Sequence, residues 1–276
     1  MSHTTATPGF THTTPSILGA TFAACKADGR SALIGYLPVG YPTVEKSLEL
    51  FRIMVDAGCD IVEIGVPYSD PVMDGPTIQA AANLALANGV HVRDVFSAVE
   101  TIRDVGGQSV VMSYWNPVLQ YGVENFSRDL ANAGGAGLIT PNLIPDEGAA
   151  WHAASDEYGL DRIYLVAPSS TNERLAMTVD ASRGFIYAAS TMGVTGARDA
   201  VSDAAPELCA RVRAHSDIPI GVGLGVRSRA QAAEIATYAD GVIVGSALVS
   251  AAAAGADELA ALVGELAQGV RSAPVS

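Results

Sequence analysis

A chain of 276 residues with 49% hydrophobic side chains can bury a large core, and this length suits one undivided α/β barrel. Its net charge of −13 and pI of about 4.6 argue against nucleic acid as a general partner. Three widely spaced cysteines, Cys25, Cys59 and Cys209, form no CxxC pair. That spacing argues against a disulfide framework or a zinc site and points to a reducing, cytoplasmic compartment.

Residues 1–15 are rich in Thr, His and Pro and read as a disordered tail, not a signal peptide. Residues 16–276 read as one domain, with no Pro/Gly/Ser linker dividing them. No uninterrupted apolar run reaches the roughly 20 residues needed to cross a bilayer. The stretch 16–27 has helical spacing. Eight short apolar, β-branched segments then recur near 32–39, 60–66, 109–115, 136–141, 162–167, 184–190, 218–223 and 241–246. Several are almost continuously apolar, as strands buried on both faces must be. Helical patterns separate them at 43–57, 76–88, 92–105, 123–133, 146–158, 172–181, 205–215 and 229–238, and 256–271 closes the chain. Eight strand–helix units in series predict a (βα)8 TIM barrel with an extra N-terminal helix and an extra helix after the second strand.

In such a barrel the chemistry lies at the carboxyl ends of the strands. The second strand carries an acid, Glu63, among apolar neighbours. Alternation places Ile61, Glu63 and Gly65 on one face and Val62, Ile64 and Val66 on the other. A carboxyl group buried there has its pKa pushed up, which suits one that both gives and takes a proton near neutral pH. The same pattern also suits a structural glutamate paired with an arginine elsewhere. A turn-rich loop, Pro67-Tyr68-Ser69-Asp70-Pro71, then delivers a second acid, Asp74, before a helix start at Gly75-Pro76-Thr77.

The other strand ends supply aromatic rings and glycines: Tyr36 to Gly40, Tyr114-Trp115-Asn116-Pro117, Tyr187 with Met192 to Gly196, Gly221 to Gly225, and Gly245-Ser246. Backbone N–H groups of glycine turns and helix starts can seat an anion. Gly196, Gly225, Gly245 and Ser246 therefore form a candidate phosphate cradle, although tight βα turns need glycine there too. The GxGxG at Gly221 to Gly225 lacks the spacing of a dinucleotide fingerprint. The loop 191–200, rich in Gly and small polar residues, is expected to act as a lid.

The absences narrow the chemistry. The only lysines are Lys26 and Lys46, both in predicted helices away from the mouth, so Schiff-base catalysis has no candidate amine. His3, His12, His91, His152 and His215 have no metal-ligand spacing. Proton transfer by carboxylates on a phosphate-bearing substrate between aromatic walls, Tyr36 and Tyr114 among them, is what remains.

The run Val62-Glu63-Ile64-Gly65-Val66-Pro67-Tyr68-Ser69-Asp70-Pro71, continuing through Asp74-Gly75-Pro76-Thr77-Ile78-Gln79, closely resembles the signature of tryptophan synthase α subunits. Tyr36 to Pro42, Tyr114 to Pro117, Gly193 to Gly196, Gly223 to Val226 and Val244 to Ala247 resemble further family segments in the same order. The resemblance implies a barrel that cleaves indole-3-glycerol phosphate to indole and glyceraldehyde 3-phosphate in the last step of tryptophan biosynthesis. It implies Glu63 as general acid/base and Asp74 as the acid that binds the indole N–H. Tyr187 and Thr195 would line the substrate site, and Gly196, Gly225, Gly245 and Ser246 would hold the phosphate. It also implies no cofactor in this chain and a β-subunit partner that holds pyridoxal phosphate in an α2β2 heterotetramer. The loop Tyr68 to Pro71 and the Asn116-Pro117 region would face that partner. The chain departs from the family at Asn142, where an aspartate is usual. A free-standing lyase with the same residues and a non-catalytic barrel acting as an allosteric partner are the alternatives.

Overall fold

The computed structural model describes residues 15–189, 204–223 and 225–272. Nine parallel strands, β1 (Ala32–Pro38), β2 (Ile61–Gly65), β3 (Gln108–Met112), β4 (Gly137–Ile139), β5 (Asp161–Ile163), β6 (Leu165–Val166), β7 (Ile186–Ala189), β8 (Ile220–Gly223) and β9 (Gly241–Val244), form one sheet. Its order is β5-β4-β3-β2-β1-β9-β8-β7-β6. The two end strands, β5 and β6, are halves of one extended stretch split at Tyr164, so the sheet closes on itself as a barrel. The Ile163 carbonyl accepts from Thr140 N at 3.2 Å and the Tyr164 carbonyl from Tyr187 N at 3.1 Å, which carries the ring across the split.

The helices are α1 (Ile17–Ala27), α2 (Val44–Ala57), α3 (Pro76–Ala87), α4 (Asp94–Asp104), α5 (Trp115–Tyr121), α6 (Val123–Ala133), α7 (Ala149–Tyr158), α8 (Asn172–Ala181), α9 (Ala204–Arg213), α10 (Arg229–Ala236), α11 (Ser246–Ala254) and α12 (Ala256–Ser272). Side chains of Ser16, Thr43, Thr171 and Ser228 cap four of them by accepting backbone N–H groups of the first turn. Among the described residues no helix is long and apolar enough to cross a membrane.

Three expectations need correction. The third strand stops at Met112, and Trp115 begins the short helix α5, whose first turn accommodates Pro117 because no intrahelical N–H is needed there. The fifth strand is two segments, because Tyr164 turns its side chain out to α7, where its hydroxyl meets His152 Nε2 at 2.8 Å. The helix expected over 146–158 is a 3-10 turn, Pro145–Glu147, followed by α7.

The alternation along the strands sorts the core into two layers. Leu33, Val62, Ile64, Val111, Leu138, Val222 and Val242 face the helices. Ile34, Ile61, Val110, Ile139, Ile163, Phe185 and Ile243 face the barrel axis, where Leu18, Phe22 and Cys25 of α1 join them. The extra N-terminal helix is thus the floor of the barrel, with Phe22 against Phe185 at 5.4 Å between ring centroids. Its start is fixed by the fully buried Asp161, which accepts from Ser16 Oγ at 2.8 Å and Leu18 N at 3.0 Å and pairs with Arg183 at 3.1 Å.

Register at the functional end is set from below. Arg30 grips Asp60 through two 2.8 Å contacts, and Asp60 Oδ2 accepts Leu33 N at 2.8 Å. Asp60 immediately precedes β2, so this clamp fixes the offset of β1 against β2. The ladder then pairs Ile34 with Ile61 and Tyr36 with Glu63.

Candidate active site

Glu63 points into the barrel from the middle of β2, with Tyr36 of β1 and Val110 of β3 as its ladder partners. It is 1% exposed and its Oε2 has no hydrogen-bond partner among the described residues. No described arginine pairs with it. Burial, reinforced by the nearby charge of Asp74, raises its pKa to about 8. At neutral pH the carboxyl therefore holds its proton. A group in this state can deliver a proton to carbon and, once ionised, take one from a hydroxyl.

Asp74 arrives from above on the loop that links β2 to α3. Burial raises its pKa, and a hydrogen bond from the Tyr114 hydroxyl opposes that rise. Tyr114 anchors the loop twice, because its oxygen also accepts Met73 N at 3.0 Å. Gln79, in the first turns of α3, reaches back to the Asp74 carbonyl at 2.7 Å. The Tyr114 ring packs against Tyr68 at 5.3 Å, and Asn116 Nδ2 contacts the Tyr68 hydroxyl at 3.4 Å. One aromatic pair thus ties the second acid to the outer loops.

Tyr36 and Tyr187 enter from β1 and β7. Burial pushes both phenols well above their usual range, and the charges of Asp74 and Glu63 add to it. Two glycines make their places. A methyl group at Gly65 would overlap the Tyr36 ring and hydroxyl, and one at Gly223 would lie 2.7 Å from the Tyr187 oxygen. These slots escaped the sequence reading. The available signal was Gly65 at the inward position next after Glu63 in a strand otherwise free of glycine.

The candidate phosphate seat is described in part. Gly225 sits just past β8 with φ +70°, a conformation open to glycine. Gly245 is the N-cap of α11 and Ser246, 8% exposed, its first residue. A methyl at Gly245 would lie 3.7 Å from Tyr36 Cδ1, so this end of the seat adjoins the Tyr36 ring. Thr195, Gly196 and the expected lid at 191–200 lie outside the described residues. Lys26 and Lys46 are exposed on α1 and α2, the latter paired with Glu49 at 2.6 Å. Asn142 accepts Trp115 N at 2.8 Å and so joins the end of β4 to the start of α5.

Comparisons with known proteins agree with this geometry. A family model described as tryptophan synthase alpha chain matches residues 22–273. The tryptophan synthase alpha chain of Nocardia farcinica is 72% identical over 261 residues, spanning 95% of this chain and 98% of that protein. That of Mycobacterium marinum is 70% identical over 256 residues, 93% of this chain and 95% of that protein. A structure of Mycobacterium tuberculosis tryptophan synthase superposes with a TM-score of 0.91 at 67% identity, covering 94% of this chain and 99% of that one. The tryptophan synthase subunit alpha of Legionella pneumophila, at only 31% identity, still reaches 0.83 over 94% of this chain and all of that one. With a family model over most of its length and relatives this similar from end to end, the chain belongs to the tryptophan synthase alpha chain family.

Proposed function

We propose that this chain cleaves indole-3-glycerol phosphate to indole and glyceraldehyde 3-phosphate, with Glu63 and Asp74 as its catalytic residues. The observation that carries the assignment is a buried carboxyl group, its Oε2 without a partner, that holds its proton to about pH 8 beside the charge of a second acid, Asp74. Glu63 gives its proton to the indole ring carbon that bears the side chain. Asp74 accepts the indole N–H and stabilises the positive charge developing on the ring. The ionised Glu63 then takes the proton of the adjacent side-chain hydroxyl. The carbon–carbon bond breaks, its electron pair returns to the ring and the hydroxyl carbon becomes the aldehyde. One proton is delivered and one removed, so no cofactor of this chain enters the balance. Tyr36, Tyr114, Tyr187 and Thr195 wall the substrate, and Gly196, Gly225, Gly245 and Ser246 take its phosphate through backbone N–H groups.

The same reading gives the chain a β-subunit partner, in an α2β2 heterotetramer, that receives the indole and holds pyridoxal phosphate. Exposed apolar side chains on three neighbouring strand ends support a docking face there. They are Val72, 70% exposed, on the loop after β2, Leu119 on α5, and Ile144 after β4. Three buried free cysteines favour a cytoplasmic setting.

The test is indole release by the chain with and without the β subunit, for wild type, Glu63→Gln and Asp74→Asn. Glu63→Gln is expected to lose at least ~10²-fold in rate, and Asp74→Asn less. Near wild-type release by Glu63→Gln would overturn the assignment. Full activity alone, unchanged by the partner, would favour a free-standing lyase.

A further inference from the structure

We infer that Tyr36 is the positioning residue of Glu63: its hydroxyl donates to Glu63 Oε2 once that carboxyl has released its proton. The inference deepens the reading above and rests on Glu63 being the acid. Tyr36 and Glu63 are direct partners in the β1–β2 ladder and share the inward face, so their backbones lie one strand spacing apart, about 4.8 Å. The Tyr36 ring leans over Gly65, the next inward position on β2 toward the mouth. Its hydroxyl therefore lies on the mouth side of Glu63, beneath the loop that carries Asp74. Both ends of the missing bond are open. Glu63 Oε2 is buried without a partner, and the Tyr36 hydroxyl makes no hydrogen bond among the described residues. Buried polar atoms are almost always satisfied, so an orphaned Glu63 Oε2 next to a tyrosine on the adjacent ladder position calls for an explanation. A protonated carboxyl needs little help there, whereas a carboxylate left behind in an apolar barrel needs a donor.

Among the described residues, the titratable groups that face Glu63 are Asp74 from the loop above, Tyr36 from β1 and Tyr187 from β7, with Tyr114 behind Asp74. None is cationic, and Asp74 opposes ionisation of Glu63. Tyr114 is already committed to Asp74 and Met73. Tyr187 belongs to β7, remote from β2 in the strand order, while Tyr36 is next to Glu63.

Tyr36→Phe removes one oxygen and keeps the ring seated on Gly65, so the fold is retained. Indole release by the full chain is measured across pH for wild type, Tyr36→Phe and Glu63→Gln. A donor to the ionised form favours ionisation, so its loss moves the alkaline limb of the kcat profile to higher pH. The expected result is a kcat about 10-fold lower, the scale of one charge-assisted hydrogen bond, with KM within about 2-fold and the limb displaced upward. An unchanged kcat and limb, or a raised KM with kcat intact, overturns the inference and leaves Tyr36 a wall of the site. If Glu63→Gln is inactive while Tyr36→Phe behaves as wild type, only the inference fails. If Glu63→Gln turns over normally, the assignment of Glu63 fails with it.

Discussion

Replacing Glu63 by glutamine should make the protein more stable in alkali, by an amount the structure sets. The folded state holds the Glu63 proton up to about pH 8, while the unfolded chain releases it near 4.5. Between these values the folded protein binds the extra proton, so stability is complete below about 4.5 and is lost as pH rises through 8. Each unit of that window costs about 1.4 kcal/mol, so the ceiling is roughly 5 kcal/mol. Relaxation and water entry on ionisation reduce it, and an observed effect of about 2–4 kcal/mol is expected. Such a loss is a large part of a typical total of about 5–15 kcal/mol. Glutamine keeps the shape and never ionises. Urea unfolding of both proteins from pH 5 to 9.5 should give midpoints that diverge steadily from about pH 5 to about pH 8, in favour of the variant, and hold a constant gap above that. Parallel curves over the whole range would refute the argument, because the carboxyl would then titrate in the folded state as it does in the unfolded one.

Three further outcomes follow from named contacts. Asp74→Asn removes the charge that helps raise Glu63, so the Glu63 carboxyl resonance should titrate at lower pH in that variant by carboxyl-carbon NMR; an unmoved midpoint would mean the two acids are uncoupled. Gly65→Ala drives a methyl into the Tyr36 ring, and should cost about 1–3 kcal/mol in denaturant unfolding and remove most indole release; wild-type stability would mean the ring has another place to go. Asp161→Asn strips the buried partner of Arg183 and the anchor of α1, and should cost about 3–5 kcal/mol, read as a lowered Tm; a change below about 1 kcal/mol would show that the floor helix is held by its apolar face alone.

The second strand and its two acids were legible from residues 61–79 because they lie in one local run with strong punctuation. Alternation sets the face of Glu63, and Gly75-Pro76 marks where the loop ends and α3 begins. The barrel itself was legible as a repeat of strand and helix, each with its own period. Local pattern failed at Trp115, where an aromatic after a β-branched run reads as strand although the chain has already turned into α5. It failed again at Tyr164, an apolar-looking residue in an apolar run whose hydroxyl seeks His152 outside the sheet.

From its sequence alone this protein has its fold class, the face that Glu63 occupies and the order of its strand ends. Only the closed barrel decided which side chains meet there: Tyr36 beside Glu63, Tyr187 across from them over Gly223, and Tyr114 under Asp74. The reason is physical. Periodicity is a property of neighbours in the chain, whereas these meetings depend on register between strands far apart in it. That register is fixed by pairings such as Arg30 with Asp60, and by glycines whose missing side chains leave room that no local pattern describes.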